Sequence, residues 1–154
     1  MRESTLESVT PSMPTWDTLE DWARSSIQCL LQDVLEEEVT QLLGRTRYER
    51  RSGVDNSQGS RNGHGKPRRV SLMSGTVEVR RPRVRGLEER FESRILPLFM
   101  RRTHAVTELL PELYLHGLSQ GDFELALRGL LGDGAPLSPS SIARLRAKWE
   151  EEFE

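Results

Sequence analysis

The sequence predicts a mainly α-helical chain carrying a small β-hairpin, and three observations lead there. Apolar residues recur at helical spacing in two separated stretches, one near the N-terminus and one over the C-terminal third. Between them a short stretch alternates apolar and polar residues about a Ser74-Gly75 pair. Hydrophobic residues make up 35% of the 154, too few for one thick core along the whole length, so small modules are expected instead.

Residues 1–15 are polar, contain Pro11 and Pro14, and read as a disordered tail. Residues 16–44 read as an amphipathic helix. Asp17 followed by Glu20 resembles a capping box. Trp16, Leu19, Ala23, Ile27, Leu30, Val34 and Leu35 then form a stripe that Leu31, Leu42 and Leu43 widen. Gly44 is a natural stop, because glycine tolerates the left-handed conformation at a helix end. Such a stripe must be buried; packing within the chain is the preferred reading and self-association the alternative. The run Glu36-Glu37-Glu38 lies late in this helix, where it opposes the dipole, and reads as a solvated face.

Residues 45–66 read as a basic flexible loop, because Arg45, Arg47, Arg50 and Arg51 lead into a Gly/Ser/Asn-rich stretch from Ser52 to Gly65. Residues 67–102 read as a basic hairpin region. Arg69 to Met73 and Thr76 to Arg80 alternate across Ser74-Gly75, and Pro82 ends the second strand or places it on an edge. Arg90 to Met100 is irregular, with Pro97 interrupting the apolar cluster Ile95-Leu96-Leu98-Phe99.

Residues 103–154 read as a helical module of helix-turn-helix type. Val106, Leu109, Leu110, Leu113, Tyr114 and Leu115 supply one apolar side, Gly117 closes the segment, and Pro111 marks a kink or boundary. A helix from Gln120 to Leu131 follows, with Phe123, Ala126, Leu127, Leu130 and Leu131 as core positions, then a turn from Gly132 to Pro136. Ser138 reads as an N-cap with Pro139 at the first helical position, and Leu137 with Ile142 as a hydrophobic staple. Ile142, Leu145 and Trp149 face inward, which leaves Ser140, Ser141, Arg144 and Lys148 exposed. That layout suits a recognition helix, although the turn exceeds the usual three or four residues.

Charge is sorted along the chain. Residues 45–102 hold 16 Lys/Arg against 6 Asp/Glu, residues 1–44 hold 2 against 9, and residues 103–154 hold 4 against 9. The net charge of −2 therefore conceals a strongly basic centre, the footprint of a phosphate-backbone binder. The alternative is a solvated linker rich in arginine. Arg61, Lys66, Arg68, Arg69, Arg80, Arg81, Arg83 and Arg85 are the candidate phosphate contacts. No apolar run approaches the ~18 residues of a membrane span, and the N-terminus lacks a signal-peptide pattern, so a cytoplasmic, nucleoid-associated place is expected. Cys29 is the single cysteine and sits among apolar neighbours, which excludes a disulfide within the chain. His64, His104 and His116 lack metal-ligand spacing.

Several segments together resemble the N-terminal half of a Mutator-type bacterial insertion-sequence transposase. They are Val34 to Gly44, Tyr48-Glu49-Arg50, Arg61-Asn62-Gly63, Gly75 to Val79 with Pro82-Arg83, Leu113 to Ser119, and Leu137 to Ile142. They occur in family order over roughly residues 28–154. The resemblance departs at His64, where the family often shows an aromatic residue, and at Gly121-Asp122, which replaces a more basic pair. It implies double-stranded DNA at transposon ends as partner, recognised at the terminal inverted repeats, with a second copy or full-length transposase as further partners and no membrane. The family's strand transfer uses a divalent metal, Mg, in a catalytic domain that the resemblance places beyond Glu154. None of the aspartates here matches the first catalytic one, so no catalytic residue, metal ligand or cofactor is carried over. The expected function is DNA-end binding by a truncated transposase. The alternatives are the N-terminal part of an active transposase completed by a separate or downstream catalytic segment, or a dimerising inhibitor of the full-length enzyme.

Overall fold

A computed structural model describes residues 13–49, 59–119, 121–135 and 137–153. Most of the expected tail, residues 1–12, and the loop segment 50–58 lie outside the described residues. Four α-helices and two small antiparallel sheets of two strands each make up the described fold.

Helix α1, Leu19–Leu43, follows a single 3-10 turn, Trp16–Thr18. Thr15 and Thr18 close that turn, the Thr15 N–H donating to Thr18 Oγ1 at 2.9 Å and the Thr18 N–H to the Thr15 carbonyl at 3.1 Å. This pair takes the place of the Asp17/Glu20 box. Gly44 ends the helix in the left-handed region, at φ 63°. The buried face is Leu35, Val39 and Leu43, with Ile27 and Leu31 packed at its margin, whereas Trp16, Leu19, Leu30 and Val34 are exposed. The expected stripe is thus only partly covered. Length explains this: a helix of 25 residues runs about 37 Å, and strands of five residues reach about 17 Å. Cys29, on the uncovered side, is exposed.

Strands β2, Arg68–Leu72, and β3, Gly75–Val79, form the hairpin, with Val70 opposite Val77 and Leu72 opposite Gly75. The turn is Met73-Ser74, so Gly75 opens the second strand rather than closing the turn. Gly75 has φ 118°, a dihedral that favours glycine. Because strand side chains alternate, the hairpin has two distinct faces. Val70, Val77 and Val79 pack on α1 with Leu35 and Leu96. Arg69, Ser71, Thr76 and Glu78 point the other way, toward the C-terminal helices.

The second sheet lies inside and beyond the expected flexible loop. Strand β1, Ser60–His64, pairs with β4, Pro82–Arg85. Pro82 therefore starts a strand, buried and opposite His64, instead of ending the hairpin. The first position of an edge strand suits proline, since no ladder N–H is required there. Composition hid β1 because its partner is some twenty residues downstream. What anchors it is α1: Arg61 donates to Thr40 Oγ1 at 2.7 Å and to Glu36 Oε2 at 3.4 Å, and His64 hydrogen-bonds the other Glu36 oxygen. Glu38 accepts from Ser93 Oγ at 2.5 Å and from the Arg94 N–H at 2.6 Å. Glu36 and Glu38 are fold-making groups, which corrects the reading of this run as a solvated face. Gln32 completes the helix-to-sheet joint by pairing both backbone groups of Arg80, each at 2.9 Å.

Helices α2, His104–Leu115, α3, Asp122–Leu131, and α4, Pro139–Phe153, form a bundle. Val106, Leu110, Phe123, Leu127, Leu131, Leu137, Ile142 and Trp149 are its buried core. Leu115 and Leu130, expected in that core, are exposed. Helix α2 runs through Pro111. Ser138 Oγ accepts from the Ser141 N–H at 3.3 Å at the start of α4. No helix among the described residues is long and apolar enough to cross a membrane.

The bundle is tied to the hairpin through Ser71. Its N–H donates to the Arg101 carbonyl at 2.8 Å, its carbonyl accepts from the Thr103 N–H at 3.1 Å, and its hydroxyl meets Thr76 Oγ1 at 3.1 Å. Chain 101–103 thereby runs parallel to β2 as a one-residue bridge.

Two stability predictions follow from these contacts. Arg61→Ala removes two of the side-chain bonds that hold β1 to α1, leaving the His64–Glu36 bond, and is expected to lower unfolding free energy by about 1–3 kcal/mol. Urea titration checks it, and an unchanged midpoint would discount the link. Phe123→Ala empties the centre of the bundle and should cost about 3–5 kcal/mol, read by the same titration.

Candidate nucleic-acid interface

Alternation in the hairpin decides which arginines face outward. Arg69, directly opposite Glu78 on the strand face turned from α1, reaches the connection between α3 and α4. A Cβ at Gly134 would collide with the Arg69 guanidinium, so glycine there leaves room for it. Between the two units lies a cleft of about 670 Å³. One wall carries Arg68, Arg69, Glu78 and Arg101, and the other Gly134, Ser138 and Ser141. Three arginines line it against a single glutamate. The opposing wall is the start of α4, whose first-turn N–H groups add partial positive charge.

The arginines behind this cleft are crowded. Arg68 donates to the Pro97 carbonyl at 3.2 Å and to the Met100 carbonyl at 2.7 Å. Burial, then the charges of Arg81 and Arg101, hold its guanidinium below the ordinary arginine range. Burial does the same to Arg102. Nη1 of Arg81 and of Arg102 is buried without a hydrogen-bond partner among the described residues. Like charges and unpaired donors in one place are the electrostatic setting in which an anion is stabilised.

The turn held by Arg68 carries the most unusual backbone nearby. Pro97 to Met100 closes with the Met100 N–H donating to the Pro97 carbonyl at 3.3 Å, and Phe99 sits at φ 70°. A turn with positive φ at its third residue normally uses glycine or asparagine there. A phenylalanine in that place costs of order 1–3 kcal/mol. Its ring is 88% exposed, and Met100 beside it is 49% exposed. Tyr48, at φ 69°, is the other non-glycine residue with positive φ among the described residues.

The sequence-derived candidates separate into groups. Arg68, Arg69 and Ser141 line the cleft. Ser140, Arg144 and Lys148 lie exposed along one face of α4, with Arg144 Nε donating to the Ser140 carbonyl at 3.4 Å and Lys148 paired to Glu152 at 3.4 Å. Lys66 is exposed between β1 and β2, and Arg80 is exposed just after β3. Arg83 and Arg85 are exposed on β4 rather than on the hairpin, and Arg85 Nε donates to Ser60 Oγ at 3.4 Å. Arg81 is half-buried. Arg61 does not belong with them, since Glu36 and Thr40 occupy its guanidinium. Arg101 and Phe99 were missed. Their signal is the run Phe99-Met100-Arg101-Arg102, an apolar pair joined to two cations.

The divalent metal that the resemblance implies needs several converging carboxylates. Among the described residues no three His, Cys, Asp or Glu side chains are placed together to hold an ion, so these residues do not fit it.

Comparison with known proteins agrees with the sequence motifs. The family model described as "Transposase, Mutator family" matches residues 2–154. A 47-residue stretch is 57% identical to the transposase for insertion sequence element IS6120 of Mycolicibacterium smegmatis. That stretch is 30% of this chain and 15% of the relative, so the chain aligns with a small part of that protein. With the family model spanning nearly the whole chain, the protein belongs to the Mutator family of transposases.

Proposed function

We propose that this chain is the DNA-end-binding part of a transposase and recognises terminal inverted repeats. The observation that carries the reading is the arginine-lined cleft between the hairpin and the start of α4. Arg68, Arg69 and Arg101 supply charge for the phosphate backbone, which needs only reach and sign. Helices α3 and α4, linked by residues 132–138, act as a helix-turn-helix in which α4 enters the major groove. Ser140, Arg144 and Lys148 recur at a four-residue interval on the exposed side, so all three face the bases while Ile142 and Trp149 hold the helix to its bundle. Arg80, Arg83 and Arg85 extend phosphate contact beyond the cleft. Strand transfer, with its divalent metal, would fall to residues other than those described.

Mobility shift against the terminal-repeat duplex, with random duplex as competitor, tests the reading. Binding should weaken with salt at a slope of roughly −0.9 per phosphate contact, and Arg69→Ala with Arg101→Ala should flatten it by about 2. Ser140→Ala with Arg144→Ala should instead cost about 1–3 kcal/mol per lost base contact and erode discrimination while sparing much of the slope. No shift at low salt, or equal shifts with random duplex, would refute specific recognition.

A further inference from the structure

The Phe99 turn is built in a way that phosphate binding alone does not explain. A bulky side chain occupies a backbone position suited to glycine, at φ 70°, yet the ring is 88% exposed. Burial of the side chain therefore does not offset the strain. The turn is nonetheless held firmly. Arg68 binds the carbonyls on both sides of Phe99, at Pro97 and Met100, and Ser71 pins the backbone on either side of Arg102. A rigid support thus presents an apolar tip, Phe99 with half-exposed Met100, whose collar is cationic. Arg68 is bonded to its base and exposed Arg101 follows Met100 in the chain, and both also line the cleft. A free-standing apolar tip ringed by cations suits a polyanion with an apolar interior, and stacked bases between phosphates are that chemistry.

We propose that Phe99, flanked by Met100, is a wedge that inserts at a base step of the bound duplex and unstacks it. The collar arginines hold the phosphates on either side, so the ring enters where the two strands are already clamped. Insertion between base pairs kinks the duplex by about 20–90°, which would bring further DNA toward the arginines of β4. The positive φ keeps the ring directed outward before DNA arrives, so no ordering of the turn is required on binding. This inference rests on the DNA-end-binding reading and adds to it the distortion of the end.

The test uses the 154-residue chain and terminal-repeat duplexes carrying 2-aminopurine at each adenine in turn, whose fluorescence rises on unstacking. Wild-type protein should raise fluorescence at one step or two adjacent ones. Phe99→Gly suits the backbone, so its melting temperature should equal or exceed that of the wild type. It should abolish the fluorescence rise, keep the salt slope, and weaken binding by about 5- to 100-fold. Phe99→Trp should restore the rise. Binding by wild type without a rise at any step, or a rise that persists in Phe99→Gly, overturns the wedge while leaving DNA-end binding intact. A fall in melting temperature for Phe99→Gly assigns the ring to the fold and overturns it equally. So does loss of self-association in Phe99→Gly with DNA distortion unchanged, which would make the tip a protein contact. Failure of the wild type to bind at low salt removes the parent reading and the wedge together.

Discussion

One backbone joint at Ser71 sets the relation between the two halves of this molecule. A two-stranded hairpin is marginal by itself in water, and this one survives by being covered on both faces. Its valine face rests on α1, and its polar face meets the chain that leads into α2. Ser71 is fully buried and makes its contacts with backbone groups of 101–103 and with Thr76. A buried polar residue is tolerated only when its groups are paired. The same pairing fixes where α2 starts, hence where the bundle stands, hence the width of the cleft between Arg69 and the start of α4.

The sorting of charge along the chain becomes intelligible once the contacts are known. Acidic α1 does not simply balance a basic centre. Glu36 takes Arg61 and His64 out of circulation, and Glu38 organises the turn at Ser93 and Arg94. The carboxylates position β1 and the irregular segment after β4. Exposed cations outside these contacts include Lys66, Arg69, Arg80, Arg83, Arg85 and Arg101. A partly buried pair such as Glu36 with Arg61 contributes chiefly geometry, because desolvation offsets much of its Coulomb gain. Here the geometry it gives is the placement of β1, which in turn pairs β4 and presents Arg83 and Arg85.

The fold class was legible because it rests on local periodicity. The bundle core from Val106 to Trp149 follows the apolar spacing, and the hairpin follows its alternation. What was illegible rests on contacts distant in sequence. Strand β1 is Ser-Arg-Asn-Gly-His, a composition that favours loops, and it becomes a strand only because β4 and Glu36 meet it. The face of α1 was misjudged for a related reason. Periodicity identifies an apolar stripe but not how far its cover extends, and five-residue strands cannot shield a 25-residue helix. At the candidate interface, counting arginines could not separate Arg61, which is paired, from Arg69, which is free to face the cleft. Only three-dimensional partners distinguish them. The role proposed for Phe99 rests on a dihedral angle and an exposed ring, and neither is written in residue type.

The sign of charge, not the size of the opening, singles out the cleft as the candidate interface. A second groove, of about 760 Å³, lies between α1 and the segment 87–95. It is slightly larger and has an apolar floor of Val34, Leu42, Leu87, Phe91 and Ile95. Yet Glu37, Glu38, Glu88, Glu89 and Glu92 stand against only Arg90 and Arg94 along it. A phosphate backbone brought there would meet an excess of like charge, and the repulsion of several carboxylates is felt over roughly a Debye length, about 8 Å at physiological salt. Under the proposed function a duplex would be attracted to one face and repelled from the other, so the long-range field would orient it before any contact forms. Steering of that kind would bring DNA to the arginine wall with α4 and the Phe99 turn at its margins. A chain with a net charge of only −2 can in this way act locally as a strongly cationic surface.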